Sequence, residues 1–161
     1  MVSPQGYLLT AYHVIDKAHK ILVRLDFDNT SEIPAEVVGF NEELDLAVLK
    51  LADGKYPWLP LAEREFTPEL GMPLIVLGYP LGDKLGQEIT FTEGVVSALR
   101  GNNALIQISA GVTHGSSGGP VLRRSDMKVI GVIHGGVKQE FASGINFAIN
   151  TQLIYSHFPS G

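Results

Sequence analysis

The sequence predicts an all-β fold made of two small closed sheets with a cleft between them. Three observations lead there. Val and Ile number 26, and 18 Gly and 9 Pro cut them into short runs, which is the composition of short strands and tight turns. Sustained helical periodicity is nearly absent, and there is no internal repeat or low-complexity stretch. A Pro-rich stretch within 56–71 (Tyr56-Pro57-Trp58-Leu59-Pro60, then Thr67-Pro68) shifts the composition and divides the chain into halves, 1–70 and 71–161. Each half has strands enough for one closed sheet, and a cleft between two such sheets is a natural place for chemistry.

The elements follow in order. Ser3-Pro4-Gln5-Gly6 reads as a hairpin turn, with Pro early and Gly late, and it feeds a strand over 6–10. The incoming strand of that hairpin would lie before Met1, so a first strand is expected to be missing and the edge beside Tyr7 to be unpaired. Strands follow over 21–26, 33–41 and 46–51, the last apolar almost throughout. Beyond the Pro-rich connection come 73–78, 88–99, 104–108, 120–123, 129–134 and 143–149. The segment 151–157 is expected to be a short helix with Thr151 as its N-cap.

Composition removes several function classes. At 45% hydrophobic and 18% charged, the chain can bury a core and is not a disordered segment. The net charge of −5 and the lack of a basic run argue against nucleic acid as a partner. No apolar run is long enough for membrane insertion, and the start carries no basic-then-apolar leader, so no signal peptide is expected in this chain. With no cysteine there is no disulfide scaffold, no Cys nucleophile and no Cys-based zinc site. His13, Asp16 and His19 have a spacing that suits no familiar zinc helix, so neither a metal nor another cofactor is expected.

The segment richest in chemistry is Gly115-Ser116-Ser117-Gly118-Gly119-Pro120. Glycines at this density let a loop aim successive N–H groups into one concavity, as an oxyanion hole requires, and Ser117 can project from it. About 0.01 chance matches to Gly-x-Ser-Gly-Gly are expected at this composition. The bland alternative is a flexible Gly-Ser turn. A serine hydroxyl needs a base within hydrogen-bond reach. Of the five candidates (His13, His19, His114, His134, His157), His13 stands where the apolar run Leu8-Leu9-Thr10-Ala11 breaks, as a side chain leaving the core for a cleft would. The base in turn needs an acid. Asp45 lies between Leu44 and Leu46, and a carboxylate buried there needs a partner. Asp16, Asp26, Asp28, Asp53 and Asp83 sit in polar or turn-like settings that suggest solvated positions. The chain order His13, Asp45, Ser117 is that of one convergent triad class, distinct from the α/β-hydrolase and subtilisin orders.

Together, Leu9-Thr10-Ala11-Tyr12-His13-Val14, Asp45-Leu46-Ala47-Val48-Leu49-Lys50-Leu51 and Gly115-Ser116-Ser117-Gly118-Gly119-Pro120 resemble the three signature blocks of trypsin-like serine peptidases. The opening Ser3-Pro4-Gln5-Gly6-Tyr7-Leu8-Leu9-Thr10, Val14 and the late segment Gly144-Ile145-Asn146-Phe147-Ala148-Ile149 are similar to the bacterial HtrA/Deg-type branch. The resemblance covers nearly the whole chain. It implies the chymotrypsin fold, with two six-stranded-type β-barrels and the active site in the cleft between them. It also implies serine endopeptidase activity on unfolded or extended polypeptides. His13 would be the general base, Asp45 the orienting acid and Ser117 the nucleophile. The N–H groups of Gly115 and Ser117 would form the oxyanion hole. Thr113, His114, Ser143, Gly144, Ile145, Asn146 and Phe147 would bind substrate, an extended peptide adding as a strand to the edge near 143–147.

The stretch Ala110-Gly111-Val112-Thr113-His114 carries no carboxylate, so small or medium apolar side chains are expected at the cleavage position rather than Arg or Lys. His114 is read as facing solvent in preference to rimming the pocket. The branch also implies an extracytoplasmic, periplasmic setting, and a trimer-type homo-oligomer where the N-terminal segment is present. Three departures from the branch are expected: the absent first strand, no C-terminal PDZ domain within 1–161, and Ser116 in place of the Asn or Asp that usually precedes the nucleophile. The alternative function is a catalytically silent trypsin-fold module that binds peptides in the same groove.

Overall fold

An apolar segment with almost no polar face belongs in the interior of a sheet, where both faces are covered. Residues 46–51 obey this rule in the computed structural model, which describes residues 1–25, 32–79, 88–113, 115–134 and 145–158. They form β4 (Leu46–Leu51), with Leu46, Ala47, Leu49 and Leu51 buried. On one side β4 pairs antiparallel with β1 (Tyr7–Ala11), and on the other with β3 (Glu32–Asn41). β2 (Ile21–Arg24) completes the order β1-β4-β3-β2. Between β1 and β2 the chain makes one helical turn, α1 (Tyr12–Ile15).

The second half closes. β5 (Pro73–Gly78), β6 (Thr90–Arg100), β7 (Leu105–Ile108), β8 (Pro120–Arg123), β9 (Val129–His134) and β10 (Asn146–Asn150) form a barrel in the order β10-β7-β6-β5-β8-β9. Leu74, Val76, Val96, Ile106, Ile108, Val121, Ile130 and Ile133 fill it. The helix α2 (Gln152–His157) follows β10 directly. A separate cluster of Leu46, Val132, Ile149 and Ile154, flanked by Leu9, Leu44 and Phe158, joins the four-stranded sheet to the barrel. This seam fixes the two sheets against each other, and the candidate chemistry lies along it.

The all-β expectation and the expected strand sequence agree with the structure, most boundaries within one or two residues. Of the two expected closed sheets, one is a closed six-stranded barrel. The other is a four-stranded sheet among the described residues, with 26–31, which join β2 to β3, outside them. The turn at 3–6 is present: Gly6 N–H donates to Ser3 O at 3.2 Å, and Val2 N–H to Tyr7 O at 2.9 Å. Among the described strands β1 pairs with β4 alone, but the edge beside Tyr7 is not left unpaired as expected: Tyr7 O accepts Val2 N–H at 2.9 Å and Tyr7 N–H reaches Ser3 Oγ at 3.4 Å, so the turn at 3–6 covers it.

His13 follows the end of β1, where the apolar run breaks, and lies within the short α1. One local expectation is corrected. Thr151 stands at the N-cap position but does not cap through its side chain. Its backbone is already helical, and its hydroxyl donates to Ile130 O at 3.2 Å, holding the helix start to β9. Asn150 Oδ1 does the capping one residue earlier, accepting Gln152 N–H at 3.0 Å.

The connection between the halves runs beside β9. Ala62 N–H donates to Val129 O and Val129 N–H to Pro60 O, each at 2.8 Å. An exposed ion cluster reinforces this contact: Glu63 accepts from Lys128 Nζ and from Arg123 Nη2, and Arg123 also binds Asp126 at 2.6 Å. The Lys128 ammonium, then the Glu63 backbone and Arg123, hold the Glu63 carboxyl down at about 2, from an ordinary 4.5. A carboxyl depressed in the folded state stabilises the fold above its unfolded value, and that contribution is lost as pH falls through the folded value. Glu63→Gln is therefore expected to lower the urea midpoint above pH 4.5, with the gap to wild type closing as pH falls toward 2. The side chain is half-exposed, so the effect is small and shrinks in salt of about 0.5 M. A gap that is constant with pH would show that the ion cluster contributes nothing.

Candidate active site

Strand register builds the first part of the site. Ala11 pairs with Leu46 at the last rung of the β1–β4 ladder, so the residues after Ala11 come level with those before Leu46. Tyr12 N–H continues the pairing onto Asp45 O at 3.0 Å. The chain then turns into α1, whose first amides have no partner within so short a helix. Asp45 supplies one: its Oδ1 accepts His13 N–H at 2.8 Å. Its Oδ2 accepts from the His13 ring at Nδ1, 2.7 Å away. One carboxylate thus caps the helical turn and orients the imidazole that the turn carries.

Asp45 holds a left-handed backbone (φ 53°) at the end of the tight connection from β3. Asp tolerates this conformation better than most residues. Asp45 N–H bonds Glu42 O at 3.1 Å, and Leu44 N–H bonds Asn41 Oδ1 at 3.0 Å, which hold the turn in place. The Asp45 side chain is 11% exposed and that of His13 47%, so the imidazole reaches toward solvent over a nearly buried carboxylate. With Nδ1–H committed to Asp45, His13 Nε2 is left as a proton acceptor.

The Gly-rich loop supplies the second part. Gly119 N–H donates to Ser116 O at 3.0 Å, and Gly118 has φ +82°. That is a four-residue turn with positive φ at its third position, the requirement of a type II turn, and it places Ser117 at the second. Ser116 is buried beneath it. Two bonds fasten the loop to β9: Gly118 N–H to Ile133 O at 2.9 Å, and Ile133 N–H to Gly119 O at 2.8 Å. On its other side the loop rests on β1, since a Cβ at Gly118 would collide with Thr10 Oγ1 and lie 3.0 Å from Ala11 N. Ser117 is thereby brought beside the β1–α1 junction that carries His13. Among the described residues, Ser117 Oγ makes no hydrogen bond, and the N–H groups of Gly115 and Ser117 have no acceptor.

The end of β9 supplies a third part, His134, which the sequence marks only as one of five histidines. His134 Nδ1–H donates to Asp45 Oδ2 at 2.8 Å, so two imidazoles share one carboxylate oxygen. His134 ends the apolar run Val129-Ile130-Gly131-Val132-Ile133, just as His13 follows the run of β1. That break in the pattern was the available signal.

The expected groove fares unevenly. His114, Ser143 and Gly144 lie outside the described residues, as do Asp26, Asp28 and Asp83. Ile145 and Thr113 are exposed. A substrate strand adding at Phe147 is corrected by the register: Phe147 already pairs with Gln107 of β7 and His134 of β9. Asn146 pairs with Ile108, and its side-chain amide donates to Ala110 O at 2.9 Å, which gives it a structural task.

Residues 1–132 match the family described as "Trypsin-like peptidase domain". A probable periplasmic serine endoprotease, DegP-like, of Chlamydia pneumoniae is 36% identical over 82% of this chain and 27% of its own length. The serine endoprotease DegS of Escherichia coli is 33% identical over 95% of this chain and 44% of its own. The chain therefore spans less than half the length of these relatives. Among solved structures, the serine endoprotease from Yersinia pestis superposes with a TM-score of 0.81 at 31% identity, covering 97% of this chain and 53% of that one. The HtrA-type protease AlgW, solved with a decapeptide, gives 0.80 at 32% identity, covering 95% and 47%. The ordered blocks, the barrel and these relatives lead to one conclusion: the chain belongs to the trypsin-like peptidase family, as a domain of the HtrA/DegP/DegS type.

Proposed function

We propose that this chain is a serine endopeptidase domain that cleaves extended polypeptide through an acyl-enzyme. The observation that carries the reading is the Asp45 carboxylate, which holds both the backbone and the ring of His13 and leaves Nε2 bare. Ser117 Oγ attacks the scissile carbonyl carbon while His13 Nε2 takes its proton. The Gly115 and Ser117 N–H groups receive the developing oxyanion. The tetrahedral intermediate expels the amine, which takes the proton from His13. Water, deprotonated by His13, then attacks the acyl ester, and His13 returns that proton to Ser117 Oγ as the ester C–O bond breaks and the carboxylic acid product leaves. The imidazolium formed in each half-reaction lies against the Asp45 carboxylate, which stabilises it.

Several finer features belong to the same proposal. The stretch before the nucleophile carries no carboxylate among its described residues 110–113, which supports a preference for a small or medium apolar side chain. The relatives' names support a periplasmic setting. A trimer-type assembly through the N-terminal segment remains part of the reading.

Fluorophosphonate labelling read by intact mass tests the core of the proposal. One adduct on the wild type and none on Ser117→Ala is the expected result, and labelling should rise with pH as His13 loses its proton. No adduct on wild-type protein that still binds peptide would instead identify a silent peptide-binding module.

A further inference from the structure

We propose that His134 is a positioning residue for Asp45 and that its protonation turns the site down. The inference rests on the peptidase reading for its kinetic arm and on the geometry alone for its spectroscopic arm. The Asp45 side chain is nearly buried, and its Oδ2 lies 2.7 Å from His13 Nδ1 and 2.8 Å from His134 Nδ1. An ionised carboxylate only accepts, so both rings must present Nδ1–H to it. Oδ1 is held by His13 N–H. Without His134, the carboxylate would be held from the α1 side alone. With it, Asp45 is fastened across the seam to the end of β9, the strand that also anchors the Ser117 loop through Ile133. The catalytic acid and the nucleophile's loop then share one support.

A neutral hydroxyl or amide could hold Asp45 equally well, but a histidine adds charge. Imidazole is the side chain that ordinarily changes charge between about pH 5 and 8. Among the described residues the ionisable groups facing His134 are Asp45, directly, and His13, through the same oxygen. Its cross-strand neighbour on β10 is Phe147, and the loop residues bonded to β9 on its other side, Gly118 and Gly119 at Ile133, carry no charge. Acylation turns His13 into an imidazolium. A neutral His134 leaves the Asp45 charge free to stabilise that cation. A protonated His134 already occupies the charge and opposes a second cation across one oxygen, so the barrier rises. The sign is therefore loss of activity as pH falls, beyond the loss that follows from protonating His13.

The test compares wild type, His134→Ala and His134→Asn. Asparagine keeps a neutral donor near the position of Nδ1 and removes the titration. At about pH 8, His134→Ala is expected to lower kcat about 10-fold or more, as loss of a hydrogen bond to a charged group does, with KM within about twofold. His134→Asn should recover most of kcat, and its rate relative to wild type should rise as pH falls toward about 5. Equal kcat for the Ala and Asn variants, or a pH-independent ratio of Asn to wild type, would overturn the proposal. Long-range proton–nitrogen spectra of the imidazoles supply an arm that needs no turnover. Both His13 and His134 should show the Nδ1–H tautomer, and His134→Asn should shift the His13 titration. A bare Nδ1 on His134, or an unmoved His13 titration, sinks the idea even in an active enzyme. Failure of the wild type to take a fluorophosphonate would count against the peptidase reading alone.

Discussion

Ser117→Ala, His13→Ala and Asp45→Asn are each expected to lower kcat/KM for peptide hydrolysis by on the order of 10³-fold or more, and the triple variant should be hardly worse than the worst single one. The reasons differ. Ser117→Ala removes the attacking oxygen and nothing else, since Ser117 Oγ makes no hydrogen bond among the described residues. Its Tm should stay at the wild-type value. His13→Ala removes the base and leaves the nearly buried Asp45 carboxylate with His134 as its ring partner. Asp45→Asn is the most informative. The amide would turn an N–H₂ toward Nδ1 of both imidazoles, which must then become acceptors and move their protons to Nε2. His13 could no longer take the Ser117 proton, whatever the geometry. Asp45→Asn retaining more than about a tenth of wild-type kcat/KM would remove Asp45 from the mechanism.

The same residues show what could be read from the chain and what could not. Ser117 was legible because a Gly-x-Ser-Gly-Gly loop is rare and its glycines have local work to do. Asp45 was legible because a carboxylate between Leu44 and Leu46 has to be partnered, and it is nearly buried. The strands were legible because their apolar runs are short and bounded by Gly and Pro. The helix α1 was not. Four residues are too few for a 3.6-residue period to show, and its start is stabilised by a side chain from 32 residues later in the chain. The bond from His134 to Asp45 was hidden for a related reason: it spans 89 residues and depends on how the barrel docks against the four-stranded sheet, which no local pattern records. Thr151 shows the limit at a single residue. A helix-start threonine reads as a cap, but here its hydroxyl serves a buried carbonyl of β9. Residues 143–147 were placed at a free edge because an alternating strand looks the same whether one or both of its edges are paired. Only the register showed that Phe147 is held on both sides.

Gly118→Ala is expected to lower kcat/KM by about 10²-fold while the protein stays folded, a loss comparable to that of misplacing a reacting group by about 1 Å. Two effects act at this position. Its φ of +82° is strained for any residue with a Cβ, and that Cβ would collide with Thr10 Oγ1 and stand 3.0 Å from Ala11 N. The backbone of β1 cannot give way easily, because Ala11 is buried and paired with Leu46. The loop must therefore lift from β1, and it carries Ser117 and the two candidate oxyanion donors with it. Gly71→Ala separates the two effects. Gly71 has φ +80° but open space around its Cβ position, so the substitution strains the backbone without a collision and away from the site. It should cost about 1 kcal/mol of stability and leave kcat/KM unchanged. Combining Gly118→Ala with Thr10→Ala removes the hydroxyl in the way but not the Ala11 amide, so part of the activity should return and part should not. The comparison also reports on the fit of the two sheets. If Gly118→Ala behaves like Gly71→Ala, the Ser117 loop does not depend on contact with β1. If only Gly118→Ala loses activity, and Thr10→Ala partly restores it, the distance from Ser117 to His13 is set by this one close approach of loop to strand.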